Sequence, residues 1–213
     1  MKRCVIIGGA EIHDYDRIRS RLSEDDYYIF CDSGLFHMDK LNITPNLIVG
    51  DFDSHENPCL PVETIVLPSE KDDTDTFYAI RKGLERGFDD FLLIGAVGGR
   101  MDHTLANISI LLTLREKGKK ASLIDDYSDM EFIGEKTVEI KDDCLYFSLL
   151  NLSGRSKGIY VENAKYPLNN AEIEYTYQYG VSNEVLPGKT ARVRVSEGNL
   201  LLIRVYADIA GRL

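Results

Sequence analysis

Phe91-Leu92-Leu93-Ile94-Gly95-Ala96-Val97-Gly98-Gly99-Arg100-Met101-Asp102-His103 runs from an apolar segment through a glycine-rich turn towards a helix. Four consecutive apolar residues that end on glycine read as a strand buried on both faces, the mark of a parallel sheet. Beyond the turn, the spacing predicts a helix over 102–117, with Leu105, Ile108, Leu111 and Leu112 on one stripe. Gly118 stands where that helix would stop.

The same alternation extends outward on both sides. Short apolar runs at 4–8, 28–31, 47–50, 64–67, 91–96 and 121–124 read as buried strands. A second helix is predicted over 75–86, where Phe77, Ile80, Leu84 and Phe88 recur at helical spacing. Strands alternating with helices predict an α/β fold, a doubly wound, mainly parallel sheet with flanking helices, over residues 1–125. Ligands of such sheets bind beyond the carboxyl ends of the strands, so chemistry is expected in the loops that follow them. After residue 126 helical periodicity stops. Alternating stretches at 137–141, 144–149, 158–162, 171–177, 191–196 and 200–206 take over, separated by turn residues such as Pro187-Gly188. Residues 126–213 therefore read as a C-terminal antiparallel β-sandwich, with 125–128 as the junction.

Charge narrows the function. The 213 residues carry 25 Lys and Arg against 35 Asp and Glu, a formal net charge of −10. A chain this acidic is poorly suited to sequence-independent nucleic-acid binding, which sets cations against phosphates. A nucleotide substrate would need Mg²⁺ with it, and a cationic organic substrate would be attracted. Cys4, Cys31, Cys59 and Cys144 form no CxxC pair, which leaves zinc-finger and thioredoxin readings without support. The N-terminus lacks a signal-peptide pattern, and no apolar run approaches the roughly 20 residues that span a bilayer. The expectation is a soluble, cytoplasmic protein with reduced thiols and no membrane contact.

Four strand ends and one β-rich segment carry the candidate chemistry. Gly50-Asp51-Phe52-Asp53-Ser54 places two carboxylates at i and i+2 after a strand, able to converge on a hard cation such as Mg²⁺ or simply to form an acidic turn. Glu70-Lys71-Asp72-Asp73-Thr74-Asp75 puts four acids in six residues before a helix. Capping explains one or two of them, while the whole cluster calls for a counter-charge. Gly98-Gly99-Arg100 offers backbone N–H groups and a guanidinium suited to phosphate, although it is neither a P-loop nor a dinucleotide fingerprint. Asp32-Ser33-Gly34 is a further polar turn after a strand, fit for ribose, base, phosphate or capping. Tyr175, Tyr177 and Tyr179, at i, i+2 and i+4, would share one strand face ahead of Ser182 and Asn183.

Taken in order, 32–34, 45–54, 70–75, 95–103 and 180–184 resemble the thiamine pyrophosphokinase (thiamine diphosphokinase) family, over nearly the whole chain. The resemblance implies an N-terminal ATP- and Mg²⁺-binding catalytic domain (1–125) and a C-terminal thiamine-binding β-sandwich (126–213). It implies a homodimer with the active site at the subunit interface. The implied reaction moves a diphosphate from ATP to thiamine, giving thiamine diphosphate and AMP. By position, Asp51, Asp53, Asp72 and Asp75 would hold the metal, and with Asp102 they form the implied catalytic set. Asp32, Ser33, Gly34, Thr74, Gly98, Gly99 and Arg100 would hold ATP, and Asp102, Ser182 and Asn183 would contact thiamine. Asp102 and the metal carboxylates are the candidate bases. Some family members stack a Trp on thiamine; this chain has none, so either a tyrosine such as Tyr177 or Tyr179 substitutes or the contact is absent. Rival readings are another Mg²⁺-dependent phosphotransferase and a non-catalytic nucleotide or thiamine-diphosphate sensor.

Overall fold

The apolar runs become strands β1 (Cys4–Ile7), β2 (Tyr27–Cys31), β3 (Leu47–Gly50), β4 (Glu63–Val66), β5 (Asp90–Ile94) and β6 (Lys120–Ile124). They lie in the order β4-β3-β2-β1-β5-β6, and every neighbouring pair is parallel. The computed structural model describes residues 2–52, 59–68, 70 and 73–206. The chain divides into two compact units, Met1–Asp126 and Tyr127–Leu213.

Every residue of β1 and β3 is buried, as continuous apolar strands between two layers must be. One layer holds α1 (Tyr15–Arg19), a 3₁₀ turn over Asp32–His37 and α2 (Met38–Leu41). Their Ile18, Leu35 and Leu41 join Val5, Ile7, Phe30, Ile48 and Ile94 in one cluster. Two longer helices, α3 (Asp75–Glu85) and α4 (Met101–Glu116), complete the unit; α3 packs on β1, β2 and β3, and α4 on β6. Each fully buried Ile, Leu or Phe contributes roughly 1.5–3 kcal/mol. The chain starts at the centre of the sheet, winds out to β4, then returns to the other side of β1. That reversal is the switch point of a doubly wound sheet. There the segments leaving β1 and β5 are tied together, Gly8 N–H donating to Ile94 O at 2.8 Å and Ala10 N–H to Gly95 O at 2.9 Å.

The second unit is all β. Strands β7 (Ser128–Ile133), β13 (Leu200–Val205) and β9 (Tyr146–Leu150) form one antiparallel set. Strands β11 (Leu168–Glu174), β10 (Arg155–Glu162), β12 (Thr190–Arg194) and β8 (Val138–Lys141) form the other. Phe147, Leu149, Leu200 and Leu202 from the first meet Ile140, Ile159, Val161, Ile173 and Val193 from the second in one core. The alternating sequence gives this sandwich directly, one residue in and the next out.

Three local expectations are corrected. The buried stripe of α4 is Thr104, Asn107, Ile110, Leu111 and Leu114, while Leu105 is 58% exposed. Two polar residues face inward because backbone atoms of the preceding loop need them, as described below. Ser128, in the expected junction, begins strand β7. The tyrosine stripe leaves the sheet: β11 ends at Glu174, and Tyr177 N–H closes a turn onto Glu174 O at 3.0 Å. Gln178 then anchors the segment to Asn151, accepting from its N–H at 2.9 Å and donating to its carbonyl at 2.6 Å.

Candidate active site

The carboxyl ends of β2 and β3 lie side by side, with Cys31 opposite Val49. The next residues on each strand, Asp32 and then Gly50-Asp51, are thereby brought together. A Cβ on Gly50 would sit 2.9 Å from the Asp32 Cβ, so only glycine lets the two strand ends approach this closely. Asp75, the first residue of α3, completes the group, since Thr74 caps that helix by accepting from Phe77 N–H at 3.2 Å. Asp32, Asp51 and Asp75 each bring a carboxylate oxygen within 4.8 Å of the others. Asp32 is buried and the other two are half-buried.

Three like charges this close repel by roughly 3 kcal/mol per pair at an effective dielectric near 20. Backbone strain accompanies them: Asp32 has φ +24° and Phe52 φ +56°, both in the region that favours glycine. Hard oxygens converging on one point fit a divalent cation such as Mg²⁺. Sequence reasoning placed Asp32 with the nucleotide rather than with these carboxylates. The signal for its place is the β2–β3 neighbourhood, which a doubly wound order supplies. Asp53 and Asp72 lie outside the described residues.

Ser33 and Gly34 continue the 3₁₀ turn after Asp32, with Gly34 buried. Burial pushes the nearby Cys31 thiol well up, helped by the charges of Asp75 and Asp32, and pushes Cys4 up to about 12. Both remain unreactive thiols.

The glycine-rich turn after β5 is held from α4. Thr104 Oγ1 accepts from Gly98 N–H at 3.1 Å, and Asn107 Nδ2 donates to Ala96 O at 2.8 Å. Neither residue was singled out from the sequence; the available signal was two polar side chains three apart, on one face of the helix. At the turn's end Arg100 makes a forked pair with Asp102, Nε to Oδ1 at 3.2 Å and Nη2 to Oδ2 at 2.6 Å. Both side chains are largely exposed. The Arg100 hydrogen bond, with a backbone bond from His103, holds the Asp102 carboxyl down at about 2.

Ser182 and Asn183 sit in the second unit. Ser182 is exposed, and its N–H donates to Ser148 Oγ at 3.0 Å. Asn183 is buried; its Oδ1 accepts from Tyr166 N–H at 3.0 Å and Glu184 N–H at 2.9 Å, and its Nδ2 donates to Tyr166 O at 2.8 Å. Its amide is thus engaged in shaping the backbone around it. Tyr177 and Tyr179 are exposed, their ring centroids 5.4 Å apart.

Among the described residues, no helix is long and apolar enough to cross a membrane. Comparison with known proteins matches residues 18–123 to the thiamin pyrophosphokinase catalytic domain and 135–200 to the thiamin pyrophosphokinase vitamin B1 binding domain. Thiamine pyrophosphokinase of Bacillus subtilis (strain 168) is 29% identical over 212 residues, covering 96% of this chain and 99% of its own. The crystal structure of thiamine pyrophosphokinase from Bacillus subtilis superposes with a TM-score of 0.84 at 26% identity, over 97% of this chain and all of the other. That of the thiamin pyrophosphokinase from Geobacillus thermodenitrificans gives 0.82 at 25% identity, over 98% and 99%. Fold, both family matches and the order of the motifs agree, and the chain belongs to the thiamine pyrophosphokinase family.

Proposed function

We propose that the protein transfers the terminal diphosphate of ATP to the hydroxyethyl oxygen of thiamine, releasing AMP. A new bond forms between that oxygen and the β-phosphorus, the α–β bridge breaks towards AMP, and the hydroxyl proton leaves. The observation that carries this reading is the convergence of Asp32, Asp51 and Asp75 at the sheet's carboxyl edge in a chain of this family.

Asp32, Asp51 and Asp75 would hold Mg²⁺ on the nucleotide, with Asp53 and Asp72 added from the two acidic loops. When bound, the cation supplies charge neutralisation on the phosphate oxygens. The protein's own part is electrostatic and positional. Arg100 presents a planar fork that matches a phosphate as well as it matches Asp102. While that pair is closed, both Asp102 oxygens accept from Arg100. Exchange of Arg100 onto phosphate would release Asp102 to act as base or to meet the thiazolium. Ser33, Gly34, Thr74, Gly98 and Gly99 line the proposed nucleotide side. Ser182 and Asn183 belong to the thiamine side, Ser182 by its exposed position and Asn183 by shaping the loop. A homodimer with the site at the subunit interface follows from the family resemblance. Four free thiols support a reducing, cytoplasmic setting.

Incubation with thiamine, ATP and Mg²⁺ followed by mass spectrometry tests the reading. Thiamine diphosphate with equimolar AMP is expected. Thiamine monophosphate with ADP, or binding of both ligands with no product, would overturn it.

A further inference from the structure

Thr104 and Asn107 are the two polar side chains on the buried stripe of α4, and the reaction described above gives them no task. Thr104 Oγ1 accepts from Gly98 N–H at 3.1 Å and donates to Arg100 O at 3.3 Å, so it spans the turn from one side to the other. Asn107, on the next turn of the helix, donates to Ala96 O at 2.8 Å and fixes the turn where it leaves β5. Packing confines the start of this segment, where a Cβ on Gly95 would lie 2.4 Å from Gly8 O, but it does not shape the tip. A Cβ on Gly98 or Gly99 would meet no protein atom within 4 Å, and both glycines have positive φ, +106° and +62°. Hydrogen bonds from α4 are what select one shape from the many that two glycines allow. They also select which amide faces outward. The Gly98 N–H is turned onto Thr104, whereas among the described residues none accepts from the exposed Gly99 N–H.

We propose that Thr104 and Asn107 are positioning residues that hold the 95–100 turn so that the Gly99 amide and the Arg100 guanidinium face the phosphates of the nucleotide. The ligand in this statement rests on the diphosphate-transfer reading; the shape of the turn does not. Thr104→Val keeps the size of the side chain and removes the hydroxyl, and Thr104→Ser keeps the hydroxyl.

Two readouts on the full chain separate the claims. Hydrogen exchange of the Gly98 amide should quicken about tenfold in Thr104→Val and stay at the wild-type rate in Thr104→Ser, as expected for loss of one protecting hydrogen bond. The KM for ATP should rise about tenfold in Thr104→Val, with the KM for thiamine within about twofold and Thr104→Ser behaving as wild type. Unchanged Gly98 exchange in Thr104→Val, or an equal rise in both KM values, overturns the proposal. Should Thr104→Val fold poorly, Thr104→Ala removes the same hydroxyl without crowding the site, and the same outcomes decide. A wild type that makes no thiamine diphosphate would sink the reaction reading, while Gly98 exchange would still judge the turn.

Discussion

Charge is arranged differently in the two units. On the second unit, five acids are met by bases on neighbouring strands and turns. Arg155 pairs with Glu172 and Glu174, Arg192 with Glu139, Arg204 with Glu131 and Lys165 with Glu184. On the first unit the same matching holds at the amino ends of strands, as in Arg3 with Asp26 and Arg86 with Glu63. At the carboxyl ends of β2 and β3, Asp32, Asp51 and Asp75 bring three carboxylates together. Paired surface ions hold little energy and say little about function. Like charges gathered against their own repulsion are a cost to the fold, and they mark where an outside cation is expected.

Substitution can break this contrast at its strongest point. Asp51→Asn should cut turnover about 10²–10³-fold while leaving thermal stability unchanged or raised, because one repelling charge is gone. A melting temperature that falls along with activity would make Asp51 a structural residue instead.

A buried base in the first unit gives a smaller, pH-dependent effect. His37 is held neutral: Tyr15 Oη lies 2.7 Å from its Nδ1 and Ala10 O 3.0 Å from its Nε2. Burial lowers its pKa below the ordinary 6.5, with Lys40 adding to this and the Ala10 bond and Asp126 opposing it. The unfolded chain therefore takes up this proton more readily than the folded chain. This contribution to stability is complete above about pH 6.5 and declines as the pH falls below it, by less than about 1.4 kcal/mol per pH unit. Denaturation at pH 7.5 and 5.5 should show that loss, and His37→Gln should flatten it. An equal slope in the variant would remove His37 from the account.

On the second unit, Arg192→Ala should change stability by no more than about 0.5 kcal/mol, since its pair with Glu139 is exposed on both sides. A larger loss would mean that the paired face is less inert than the contrast requires.

How much the sequence tells depends on how local the cause is. Runs such as Leu47-Ile48-Val49 and the spacing of α3 announce themselves, because burial on two faces or on one stripe writes a pattern within a few residues. α1 is only five residues long and holds no such pattern. β7 begins Ser128-Asp129, two buried polar residues that break the apolar run. The buried side of α4 was missed for a similar reason: Thr104 and Asn107 face inward to bond backbone atoms, which hydropathy does not see. Asp51 and Asp75 were readable as candidate metal ligands from their motifs. Asp32 was not, because its place in the cluster depends on β2 lying beside β3 and on Gly50 leaving room for it.

Calorimetric titration of Mg²⁺ into the protein with a non-hydrolysable ATP analogue tests the central claim most directly, comparing the wild type with Asp75→Asn. The carboxylate cluster predicts Mg²⁺ affinity at least about tenfold weaker in the variant, with the fold intact. Equal affinity and equal turnover in the two proteins would contradict it.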